Sequence, residues 1–132
     1  MNGYTSLKMT IALVCLAAAT GPAFGHHSFP GTYLVDQTTT IEGTVVQFML
    51  RNPHSFVHVM TVDKKTGVQT TWAVEWGSGG SLANDKVVPD SLKPGDKVIV
   101  IGNPARDTAA HRLRMRSIER PSDGWKWTGT FG

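Results

Sequence analysis

Four of the five histidines carry most of the chemistry this sequence offers. His26 and His27 stand side by side in "AATGPAFGHHSFPG", residues 18–31. His54 follows a proline in "RNPHSF", and His58 lies in "FVHVM". Imidazole nitrogen suits copper, and Cu(II) favours tetragonal nitrogen geometry and stands at the top of the divalent affinity order. A chain cut after Gly25 would begin at His26, whose α-amine and own imidazole close one chelate ring on a copper ion. A further imidazole at right angles, from His27 or His54, would make a T-shaped three-nitrogen site. A cut after Ala23 would instead expose Phe24-Gly25-His26, where a free amine, two backbone amides and a third-position imidazole form a square-planar Cu(II) or Ni(II) site. The expected cofactor is therefore copper, with His26, His27, His54 and His58 as the candidate metal ligands. His111, in "TAAHRL", reads as solvated, and Met49, Met60 and Met115 read as core filling before they read as soft Cu(I) ligands.

The histidine pair acquires this meaning only if the chain is cut there. Lys8 is the only charged residue before Asp36, and "MTIALVCLAAAT" is an apolar run too short to span a bilayer, which takes about 20 residues. It fits the core of a secretory signal peptide, with Ala23 and Gly25 as the small residues of a cleavage site before His26. Residues 1–25 are thus expected to be a signal peptide and the mature protein to be periplasmic or secreted. Cys15, the only cysteine, would leave with the leader, and Val14 before it does not suit lipidation. The mature chain would then have neither a disulfide nor a thiolate metal site. Loss of Lys8 takes the formal net charge from +3 to +2. That balance, together with export, argues against nucleic acid as a partner. Arg112, Arg114 and Arg116 would share one face of a strand, which reads as a solvated stripe.

Standard catalytic constellations are absent. The sequence has no Gly-x-Ser-x-Gly elbow, no phosphate loop ending in Gly-Lys, and no His-Glu-x-x-His helix. "GSGGS", residues 77–81, follows a strand but lacks the unit a dinucleotide site needs. Glu75 is a lone carboxylate in an apolar strand and reads as a paired or rim-exposed group, since no second acid accompanies it. A rival to copper is a binding module with an aromatic face built from Trp72, Trp76 and Phe56, taking a small organic, sugar-like or peptide ligand. A copper oxidase is a third class, for which the sequence offers no substrate-binding surface.

The elements that must position these residues are strands. No window sustains an apolar i, i+3, i+4, i+7 pattern, while turn signals recur in "KKTG", "WGSGGS", "KPGD" and "GNPARD". Five strands are expected: 39–50, with Gly43 as a bulge or bend; 55–62; 68–76; 97–102; and 113–119. "SLANDKVV" between the third and fourth leaves room for a helical turn or two. This order is that of a small all-β, five-stranded, OB-like Greek-key barrel, with an open β-sandwich as the alternative. The expected organisation is a signal peptide over 1–25, an N-terminal segment over 26–37, a barrel over 38–120, and a tail over 121–132. That tail either folds back over the barrel or hangs free.

The motifs "HHSF", "EGTVVQFMLRNPHSFVHV", "TWAVEWGSGGSL", "DSLKPGDKVIVIGNPARD" and "LRMRSIERPSDG" together resemble a family of small secreted bacterial proteins known only as a domain of unknown function. Its members share a mature start of His-His-Ser-Phe, an Asn-Pro-His turn, a Trp-Ala-x-Glu strand and a Leu-Lys-Pro-Gly-Asp loop. The resemblance implies export and a small β-barrel, and no activity. The sequence departs from the family pattern at Gly79–Gly80, where Ser-Pro is the commoner pair.

Overall fold

Alternation between apolar and polar residues decides the architecture. The computed structural model describes residues 29–130. Six strands run β1 Thr39–Met49, β2 Phe56–Val62, β3 Gln69–Glu75, β4 Lys97–Pro104, β5 Arg112–Arg120 and β6 Trp125–Thr128. Two short α-helices join them, α1 Phe29–Thr32 and α2 Gly79–Asn84. The sheet order is β3-β2-β1-β4-β5-β6, and a parallel pairing of β3 with β5 closes the first five strands into a barrel. The fold is the OB-like barrel that the strand order predicts, with α2 between strands three and four, and not an open sandwich.

Inside the barrel lie the alternate residues of each strand: Val57 and Val59 of β2, Val74 of β3, Val98 and Val100 of β4, and Leu113 and Met115 of β5. Trp76, one residue beyond β3, keeps the same parity and is fully buried. Leu82 of α2 joins the same core. Ser78 caps that helix, its hydroxyl accepting from the Ser81 amide at 3.1 Å, so α2 starts inside the Gly-rich "GSGGS" stretch. Strand four runs two residues further than expected, because Asn103 and Pro104 continue to face Arg114 and Leu113.

The first strand serves two partners. Thr39–Thr44 pair with β4, and Thr44–Met49 pair with β2. The expected irregularity at Gly43 falls instead between Val45 and Gln47. Gly43 is needed for a different reason, the close approach of the neighbouring strand: a Cβ there would sit 2.3 Å from the Met60 carbonyl oxygen and 2.8 Å from a Val59 methyl. The obstacle is mainly backbone, so it cannot swing aside as a side chain would. Gly43→Ala is expected to cost about 2–3 kcal/mol, the upper part of the overpacking range. Thermal unfolding followed by circular dichroism should then show a midpoint about 10 °C or more below wild type.

Both ends of the described residues are stitched to the barrel. Tyr33 is 1% exposed and bridges to Ala105. The Leu34 amide donates to the Pro104 carbonyl at 2.9 Å, and the buried Asn103 side chain donates to the Gln37 carbonyl at 2.7 Å. At the other end β6 pairs antiparallel with β5, turning Trp127 into the core, where its Nε1–H donates to Asp85 at 2.9 Å. Of the two fates expected for the tail, the structure has the folded-back one for Trp125–Thr128. Among the described residues no helix is long and apolar enough to cross a membrane.

Candidate functional site

Register explains why polar groups collect on one outer face of the barrel. β2 and β3 pair with Phe56 opposite Glu75 and Val57 opposite Val74. The parity that buries Val57, Val74 and Trp76 therefore turns Phe56 and Glu75 outward together. The parallel pairing sets Ala73 beside Arg112 and Glu75 beside Arg114, so the arginines of β5 reach the same face. The segment of α1 and Tyr33 lies across this face. Between them is a cavity of about 500 Å³, with Arg51, Asn52 and His54 of the β1–β2 loop on its far side. The Asn52–Pro53 peptide in that loop is cis.

At the floor of the cavity Glu75 is 6% exposed, yet it is fully engaged. Its carboxylate accepts from the Tyr33 hydroxyl, from His54 Nδ1 and from Arg112 Nη2, the last at 2.6 Å. A carboxylate only accepts, so His54 Nδ1 carries a proton. Burial pushes the Glu75 carboxyl up, but the hydrogen bonds from Tyr33, His54 and Arg112 and the arginine's charge outweigh it, and the net direction is down. Burial, followed by the bond to and charge of Glu75, holds the Tyr33 phenol well above its ordinary range. Burial lowers the Arg112 guanidinium, while Glu75 and Tyr33 raise it by more.

These shifts fix the pH limits of the fold. Glu75 is lowered in the folded state, so its contribution is complete above the ordinary glutamate value of about 4.3 and is lost as pH falls through the folded value. Tyr33 is raised, so its contribution is complete below about pH 10 and is lost as pH climbs toward the folded value. Asp96, opposed by burial but held down by the Lys93 amide and by Arg120, adds to the acid limb. The expected profile of urea-unfolding stability is flat between about pH 5 and 10 and falls outside it. Stability that declines steadily from pH 5 to pH 8 would contradict this arrangement.

Aromatic rings and guanidinium groups form the walls. The rings of Phe29 and His54 stack with centroids 5.9 Å apart and planes 19° apart. Arg114 sits over Phe29 at 3.9 Å. Arg51 and Arg112 both approach the Phe56 ring, at 5.5 and 5.3 Å from its centroid. Such stacking holds a guanidinium in place without using its hydrogen-bonding edge.

The residues singled out from sequence divide among different places. His54 lines the cavity, whereas His58, although it also faces outward, does not and meets Gln47 at 3.4 Å. His26 and His27 lie outside the described residues. Among the described residues no three His, Asp or Glu side chains converge as a metal site. The aromatic face of Trp72, Trp76 and Phe56 does not assemble, because the register puts Phe56 on the opposite side of the sheet from the two tryptophans. Trp76 is 0% exposed, and Trp72 packs edge-on to His111 at 5.3 Å. Met115 is core.

Sequence reasoning passed over Phe29, Tyr33 and Arg51, and it read Arg112 as solvated. The signal that could have found the group is Glu75, since a carboxylate in an apolar strand needs donors, and a strand of arginines two residues apart supplies one.

A comparison with curated proteins found no match. Residues 12–114 match the model of a family of unknown function (DUF6152). That span is most of the chain, and the protein belongs to this family.

Proposed function

We propose that this is an exported, non-catalytic binding protein whose ligand is copper, held by His54 together with the histidines of a processed N-terminus. The observation that carries the reading is the buried Glu75 carboxylate on His54 Nδ1. A metal-binding histidine usually donates its second ring nitrogen to a carboxylate, which fixes the tautomer and raises the basicity of the ligating nitrogen. The oxygens of Glu75 are engaged by Tyr33, His54 and Arg112, so Glu75 orients the ligand and is not one itself. Phe29, stacked on His54, is two residues after His27 and three after His26. That short separation in sequence supports a site shared by His54 and the N-terminal histidines. Such a site suits copper handling or sequestration more than turnover.

Two measurements test this. Mass spectrometry of the exported protein gives the true terminus, and a chain still starting at Met1 would end the proposal. Copper titration then compares the native terminus with the same chain extended by one alanine, and with His54→Gln. Both changes are expected to weaken binding. Equal affinity for the native and extended chains would remove the α-amine from the site, and unchanged affinity in His54→Gln would remove the cavity from it.

A further inference from the structure

The wall of the cavity opposite His54's role is built from guanidinium groups and rings that copper binding does not use. Arg51 makes no ion pair and no side-chain hydrogen bond among the described residues; its guanidinium rests only on the Phe56 ring. Arg112 spends Nη2 on Glu75, while its Nε is buried without a hydrogen-bond partner among the described residues. Glu75 is the single carboxylate among the described residues lining the cavity, so two guanidinium groups face one carboxylate and leave a surplus positive charge. That surplus, on planar donors already oriented by an aromatic ring, matches a carboxylate bound through two parallel hydrogen bonds.

The remaining wall describes the rest of the ligand. Phe29, Tyr33 and Phe56 line the same cavity, and its volume of about 500 Å³ falls within the range of small-molecule sites. A bare phosphate or small inorganic anion would leave the half-buried Phe56 ring uncovered. A ring attached to the carboxylate would cover it and gain from burial and from stacking.

We infer that the Arg51–Phe56–Arg112 wall of this cavity is a binding site for a small aromatic carboxylate. The carboxylate sits between the two guanidinium groups and the ring lies against Phe56. Arg51 supplies the free charge and the hydrogen-bonding fork, and Arg112, tied to Glu75, adds positive charge beside it. The site needs no metal and does not depend on the copper proposal.

Nitrogen–proton correlation spectra of the metal-free protein, prepared with its native terminus in a chelator, test this with benzoate, benzyl alcohol and inorganic phosphate as probes. Benzoate is expected to give saturable shifts at the backbone amides of Arg51, Phe56 and Glu75. Added salt should weaken it. Arg51→Gln is expected to weaken benzoate about tenfold or more, the size of a lost hydrogen bond to a charged group. Arg51→Lys, which keeps the charge and loses the fork, should fall between. Arg51 is exposed, so both variants should unfold at the wild-type midpoint. The inference is overturned if benzoate gives no saturable shift up to about 10 mM. Equal benzoate affinity in Arg51→Gln would also overturn it, as would phosphate or benzyl alcohol binding as tightly as benzoate. With metal absent throughout, a failed copper titration leaves this result standing, and the reverse holds too.

Discussion

Alanine at Trp76 is expected to lower the thermal midpoint by about 15–25 °C, the effect of roughly 3–5 kcal/mol in a domain of this size. The side chain is completely buried, and its ring meets Trp127 edge-on at 5.1 Å and Phe48 at 5.9 Å. Those contacts join three parts of the chain, β3, β1 and the returning tail. The hole left by alanine would lie between strands that are hydrogen-bonded to their neighbours and cannot collapse far into it. Trp76 Nε1 has no hydrogen-bond partner among the described residues, so part of the tryptophan's burial works against stability. Phenylalanine removes that nitrogen while keeping an aromatic ring, and should cost only about 1–2 kcal/mol. Differential scanning calorimetry of the two variants separates ring volume from the indole nitrogen. Equal midpoints for Trp76→Ala and Trp76→Phe would show that the ring's bulk is not what holds this core.

Glu75→Gln should produce the next largest loss, about 2–3 kcal/mol. Removing one partner of a buried ion pair costs about 3–5 kcal/mol when both charges are dry, and Arg112, with its side chain 38% exposed, brings that figure down. Glutamine keeps the shape but not the acceptors. Three donors converge on this position, from Tyr33, His54 and Arg112, and an amide offers them one oxygen and an –NH₂. Urea unfolding at pH 7 measures the loss. Repeated at pH 3, it should show the gap between variant and wild type narrowing, because below about pH 4.3 the unfolded wild-type chain takes up a proton at this carboxyl and the advantage of the folded carboxylate shrinks. A gap that stays constant between pH 7 and pH 3 would mean that the charge of Glu75 is irrelevant to the fold. In the copper proposal the same substitution frees His54 from its orienting carboxylate, and affinity should fall about 10–100-fold.

The strands and their order were legible because half-buried strands write their faces into the sequence at a period of two. "FVHVM" and "TWAVEW" each have one parity that is apolar throughout, and those are the residues found inside. The opposite parity is legible as well, since Glu75 alternates with Trp72, Val74 and Trp76 along its strand. The Gly43 reading failed in an instructive way. Glycine in a strand announces that something unusual happens there, but a bulge and a close approach of backbone look alike in sequence. Which of the two applies depends on where β2 crosses β1, and that is a property of barrel closure.

What sequence alone determined about this protein was the all-β barrel pattern, the helix between the third and fourth strands, and the isolation of Glu75 in an apolar strand. These depend on neighbours a few residues apart, where periodicity and turn chemistry act directly. The tertiary structure decided everything that depends on register between distant strands. Pairing Phe56 with Glu75 removed Phe56 from the tryptophan face and gave it to the arginines. Closing β3 against β5 brought Arg112, 37 residues away, onto the Glu75 carboxylate. Folding Tyr33 down from the N-terminal segment turned an exposed sheet face into a cavity around His54. A shift of one residue in either pairing would turn each of these side chains to the other face, and no local pattern in the sequence records that choice.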